Sequence, residues 1–132
     1  MTNLETAIKN SETRFFKAVF PNTTNHYDTL FGGQTLHMMD EASFICATRF
    51  SRKKVVTVSS DRVDFNKPIP QGSIVELIAN VTRVGKTSCT VTVEVFMEDM
   101  YNYNREKVVN GSFTFVAIGE DKQPILIFDG ED

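Results

Sequence analysis

Residues 21–50, PNTTNHYDTLFGGQTLHMMDEASFICATRF, decide how the rest of the chain is to be read. A polar loop carrying Asn25 and His26 runs into Phe31-Gly32-Gly33, and a helix pattern then continues to about Phe50. Two adjacent glycines at a helix start let another group come close to the backbone, with no Cβ in the way. The first turn of a helix has amide N–H groups without intrahelical partners and a partial positive charge. Such an end suits a phosphate, a carboxylate or the oxygen of a carbonyl under attack. Asp40 follows about two turns later, and the chemistry is expected between it and this helix end.

Within the helix, Leu36, Met39, Ser43, Cys46, Ala47 and Phe50 recur at three- and four-residue steps, which predicts a mostly apolar face. The small residues Ala42, Ser43 and Ala47 predict a close approach to a sheet. Asp40 shares a side with Leu36, Ser43 and Ala47, at the edge of the buried face. Glu41 falls with His37, Phe44 and Thr48, and is expected to be solvated. Ser51-Arg52-Lys53-Lys54 closes the helix with cations, which complements its dipole.

Outward from this stretch the chain reads as strands. Before it, residues 1–11 form a frayed or helical lead-in, and RFFKAVF (14–20), stopped by Pro21, predicts a first strand. After it, VVTVSSDRVDF (55–65) predicts one long strand, broken by Lys67-Pro68-Ile69-Pro70-Gln71-Gly72. Residues 74–84 alternate, Gly85-Lys86 turns the chain, and 87–97 alternate again. A polar connection (98–106) precedes a strand over 107–118, a turn at 119–124, an added edge strand at 125–128 and a loose acidic end. One helix among antiparallel strands predicts an α+β domain over residues 1–132, in which one sheet wraps a central helix. One helix covers one face only, so an apolar flank is left for dimerisation.

Composition narrows the function. The chain has 132 residues, 41% hydrophobic and 23% charged, with formal net charge −3. That is ordinary for a globular protein with one core, and nothing basic invites nucleic acid. Cys46 and Cys89 lack metal-ligand spacing and read as buried, reduced thiols. His26 and His37 have no serine nucleophile or second histidine to work with, so no metal site is expected. No apolar run reaches membrane-spanning length, and the polar start lacks a signal-peptide core, which together predict a cytoplasmic location.

The ordered set Asn25, Phe31-Gly32-Gly33 and Met39-Asp40-Glu41-Ala42 resembles the hotdog-fold acyl-CoA thioesterases, in particular the YciA-like and cytosolic long-chain acyl-CoA hydrolase branch. Val55-Val56-Thr57, Phe65-Asn66-Lys67-Pro68 with Gly72, Gly85-Lys86-Thr87-Ser88 and Phe115-Val116-Ala117 follow in the same order, so the resemblance spans about residues 14–127. It departs at Asp28, where many such sequences have glycine three residues after the asparagine. That extra carboxylate bears on loop conformation and on the acceptance of anionic acyl groups.

The resemblance implies hydrolysis of acyl-CoA to free acid and coenzyme A. The Gly32-Gly33 helix end, Gly33 foremost, would donate N–H to the carbonyl oxygen. Asp40 would act as general base or as nucleophile. Asn25 would position water or thioester, and Thr57 would assist near the carboxylate. Gly85, Lys86, Thr87 and Ser88, by themselves a hairpin turn, become a coenzyme A contact, with Arg62 and Lys67 as weaker phosphate candidates. The site would form between two subunits, with Asn25 and Asp40 from different protomers of a dimer at least, and of a hexamer built as a trimer of dimers. No metal or redox cofactor is implied. A non-catalytic acyl-CoA sensor on the same fold is the competing reading, and a hotdog dehydratase is disfavoured for want of a His and Asp pair in the helix.

Overall fold

The computed structural model describes residues 2–21, 24–30 and 32–130. Phe31 and the last two acidic residues therefore lie outside it. Eight elements follow in chain order: α1 (Asn3–Asn10), β1 (Thr13–Ala18), α2 (Gly32–Ser51), β2 (Lys54–Ser60), β3 (Asp64–Phe65), β4 (Ser73–Val84), β5 (Ser88–Asp99) and β6 (Arg105–Ile118). The strands make one antiparallel sheet in the order β1-β4-β5-β6-β2, with β3 also paired to β6.

Alternation builds the core. Val75, Leu77, Ala79 and Val81 of β4, Val91, Val93 and Val95 of β5, and Phe113, Phe115 and Ala117 of β6 are buried. Every second residue thus faces α2. The helix answers with Met39, Ala42, Ser43, Cys46 and Ala47, each fully buried. Small side chains bring its backbone close enough for the Cys46 thiol to donate to the Ala79 carbonyl at 3.5 Å. The opposite face of β4 holds one buried carboxylate, Glu76. It is paired with Arg105 at 2.6 Å, and Arg105 itself lies over the Phe96 ring.

The lead-in is a true helix. The Thr2 side chain caps α1 by accepting from the Glu5 amide. Arg49 of α2 donates to the carbonyls of Asn10 and Glu12, which fastens α1 and β1 to the helix end.

Two expected strands are corrected. Residues 55–65 do not run as one strand. Pairing with β6 slips by one residue between Thr57 and Ser59, and residues 61–63 leave the ladder before β3 resumes it. A β-rich composition does not record where an extra residue is inserted against the partner. Residues 125–128 form no strand. The Ile125 amide donates to Ala117 while the Ile127 amide donates to Lys86, so no single neighbour provides a ladder. The segment is held by side chains instead: Ile127 is buried, and Phe128 stacks on Phe50 with ring centroids 5.6 Å apart.

Candidate active site

The loop before α2 is stitched to the residues after β3. The Leu30 amide donates to Ile69 at 2.6 Å and the Gln71 amide to Asp28 at 2.9 Å. Asn25 organises the loop from within. Its side-chain oxygen accepts from the Tyr27 amide at 2.9 Å, the Thr29 amide at 3.3 Å and the Thr29 hydroxyl at 3.0 Å. That leaves the Asn25 amide nitrogen without a partner among the described residues. Asp28 sits in the left-handed region, φ 61. Glycine adopts that conformation without strain, and aspartate is one of the few other residues that tolerate it.

Helix α2 then starts at Gly32. A Cβ built on Gly32 would meet nothing within 4 Å, so packing within the chain does not require glycine there. The helix end is open to something outside its own chain.

Along α2 and β2 lies an open groove of about 380 Å³ lined by Gly33, Leu36, His37, Asp40, Thr57, Ser60 and Phe113. Gly33, Asp40 and Thr57, expected in one site, are thus brought together. Asp40 is exposed and enters no ion pair or side-chain hydrogen bond among the described residues. Its backbone carbonyl accepts from Ser43 at 2.9 Å, which leaves the carboxylate available. Glu41 does not line the groove and lies 4.0 Å from His37 across one turn.

Four groove residues, Leu36, His37, Ser60 and Phe113, are not among the site residues expected from the sequence. Ser60 stands three residues from Thr57, which in a regular strand would put it on the other face. The slip at Val58 returns it to the same groove. Leu36, expected on the apolar face of the helix, is exposed instead, and Phe113 falls within the strand expected over 107–118. His37 read as helix surface, and its step of three residues from Asp40 is the one signal that pointed here.

Other expected site residues lie elsewhere. Asn25 does not line the groove of its own chain. Gly85, Lys86, Thr87 and Ser88 form the β4–β5 turn, closed by the Gly85 amide donating to the Ser88 carbonyl at 2.7 Å. A Cβ on Gly85 would come within 2.9 Å of the Ser88 hydroxyl, which would have to turn away from it. Thr57 pairs with Phe115, and Phe115 with Cys89. The turn therefore adjoins the row that holds Thr57, two strands away, about 10 Å at the usual strand spacing. Arg62 and Lys67 are occupied by Asp64 and Glu106, at 2.7 and 2.8 Å. Among the described residues there is no cluster of three or more His, Cys, Asp or Glu side chains able to hold a metal, and no helix is long and apolar enough to cross a membrane.

Residues 27–103 match the family described as the Thioesterase superfamily. The chain belongs to the thioesterase superfamily. Its architecture, a long helix inside a curled antiparallel sheet, is the hotdog fold of that superfamily. The chain is 40% identical over 124 residues to the uncharacterized acyl-CoA thioester hydrolase YkhA of Bacillus subtilis, covering 88% of this chain and 72% of YkhA. Among solved structures, the acyl-CoA hydrolase of Staphylococcus aureus in complex with butyryl coenzyme A and coenzyme A superposes with a TM-score of 0.86. The identity is 34%, and the match covers 90% of this chain and 73% of that one. Variants of that enzyme with one aspartate, one threonine or one asparagine replaced by alanine have also been solved. An apo-hexameric acyl-CoA thioesterase superposes at 0.87 with 34% identity, covering 90% of this chain and 76% of that one.

Proposed function

We propose that this superfamily member hydrolyses acyl-CoA, with Asp40 as the reacting carboxylate. The observation that carries the reading is the groove in which the α2 end at Gly33, the unpaired carboxylate of Asp40 and the hydroxyl of Thr57 face one space. The spacing of the three residues replaced in the Staphylococcus aureus enzyme supports it. Fifteen residues separate the asparagine from the aspartate and seventeen the aspartate from the threonine. Asn25, Asp40 and Thr57 stand at the same intervals.

The Gly33 N–H donates to the thioester oxygen, and a preorganised donor of this kind contributes ~3 kcal/mol as charge develops there. Asp40 either takes a proton from attacking water or attacks the carbonyl carbon itself, giving an anhydride that water then opens. The C–S bond breaks, and coenzyme A leaves as thiolate and is protonated by solvent. Thr57 hydrogen-bonds beside the carboxylate. Asn25 of a second copy supplies its free amide donors to water or thioester. The Gly85–Ser88 turn, with its lysine and two hydroxyls, receives part of the coenzyme A moiety. Assembly follows from the same reading: two copies share each site, and three such dimers make a hexamer. A cytoplasmic location agrees with two reduced, buried cysteines.

Thiol release from an acyl-CoA chain-length panel tests this, run on the wild type, Asp40→Ala and Asn25→Ala. Turnover by the wild type, with at least ~10²-fold loss in variants that stay folded and assembled, supports the roles. Acyl-CoA binding without thiol release from the wild type would replace hydrolysis by the sensor reading.

A further inference from the structure

Phe113 forms part of the Asp40 groove. Four residues earlier on β6, Val109 lines a second hollow of about 280 Å³, on the other side of the first turns of α2. Residues 109, 111 and 113 share the face of β6 that meets the helix, and the two hollows are about 13 Å apart along the strand. Between them stands Gly111, the one position of the three without a side chain.

The space over Gly111 is filled from two directions. A Cβ built there would lie 2.9 Å from Cγ2 of Val63 and 3.3 Å from Cε of Met39. Val63 belongs to the three residues that leave the ladder between β2 and β3, and Met39 precedes Asp40 on the buried face of α2. One valine on a short irregular segment and the end of a flexible thioether therefore separate the two hollows. Beyond them the walls suit a hydrocarbon. Leu30, Phe65, Pro68, Ile69 and Val109 are apolar. Its polar lining is the buried Thr35, Asn66, which donates to Asn110, and Lys67, which pairs with Glu106.

Resting on the hydrolase reading, we propose that the acyl chain runs from Asp40 past Phe113 toward Gly111, and that Val63 and Met39 together form the stop that sets the longest chain accepted. Short acyl groups end in the first groove. Longer ones displace the stop and enter the hollow lined by Ile69 and Val109.

Val63 touches no reacting atom, so replacing it separates chain-length selection from chemistry. We would measure kcat/KM for acyl-CoA from four to sixteen carbons with the wild type, Val63→Ala and Val63→Phe. Dissociation constants for the matching nonhydrolysable thioethers, and melting temperatures, would be taken alongside. Val63→Ala is expected to raise the long-to-short ratio by about tenfold or more while the four-carbon rate changes little, and Val63→Phe to move the ratio the other way. A ratio unchanged in Val63→Ala, in both turnover and thioether binding, would overturn the proposal. Should no variant turn over acyl-CoA, a shifted thioether profile would keep the stop and remove hydrolysis, so the two readings fail separately. Should Val63→Phe not fold, Val63→Ala decides.

Discussion

Burial pushes the Cys89 thiol up to about 12 from its ordinary 9.0, and nearby Cys46 adds to the push. Cys46 is raised as well, chiefly by burial. Both thiols are free and buried, as their positions in apolar patterns predicted. A raised thiol favours the neutral form in the folded state. The stabilisation is therefore fully present below pH 9 and is lost as pH climbs from 9 toward 12. Urea midpoints of wild type and Cys89→Ala should converge over that window, after correction for the cavity the alanine leaves. A gap constant from pH 8 to 11 would contradict the assignment. Asp28 offers a different lesson at this scale. Its left-handed backbone is one that glycine adopts without strain, a conformational point that reading residues by charge alone did not supply.

Helix α2 ends with Arg52 in the left-handed conformation, φ 57, its amide donating to the Thr48 carbonyl at 2.6 Å. The cationic run 52–54 read as a dipole complement, and the helix does stop there. The strain in the residue that stops it is a feature of the backbone alone. Glycine is the usual occupant of that position. Arg52→Gly is expected to stabilise the fold by up to ~1 kcal/mol, less a few tenths for the freer unfolded chain. A lowered denaturation midpoint would show that the arginine side chain contributes more than its backbone costs. In β2 the position was legible and the irregularity was not. Thr57 was located by its motif, whereas Ser60 joins it only because the ladder slips at Val58.

At the scale of the whole molecule, β2 is a sheet edge. Exposed Val56 and Val58 stand on it, and Leu36 and Phe44 are exposed on the adjoining flank of α2. Thr48, whose buried hydroxyl has no partner among the described residues, lies there too, beside an open hollow of about 620 Å³. This is the flank that a single helix leaves uncovered, and in the proposed assembly a second copy covers it. Charge on an edge strand blocks such pairing. Val58→Lys is expected to lower the mass measured by light scattering and to abolish thiol release together, because in the proposed assembly each site takes Asn25 from the other copy. An unchanged mass would place the interface elsewhere.

The sequence by itself determined the helix, because three- and four-residue steps from Met39 to Phe50 make one buried face, although Leu36, read with them, is exposed. It determined the alternating strands 74–84, 87–97 and 107–118 for the same reason of periodicity. Through the resemblance it also pointed to Gly33, Asp40 and Thr57, three residues that the fold brings to one groove. Tertiary structure alone decided what depends on two segments meeting. These are the slips of β2 and β3 against β6 and the failure of 125–128 to find one strand to pair with. The closing of Val63 and Met39 over Gly111 belongs with them. Each is a relation between residues far apart in sequence, and local periodicity carries no record of such a relation.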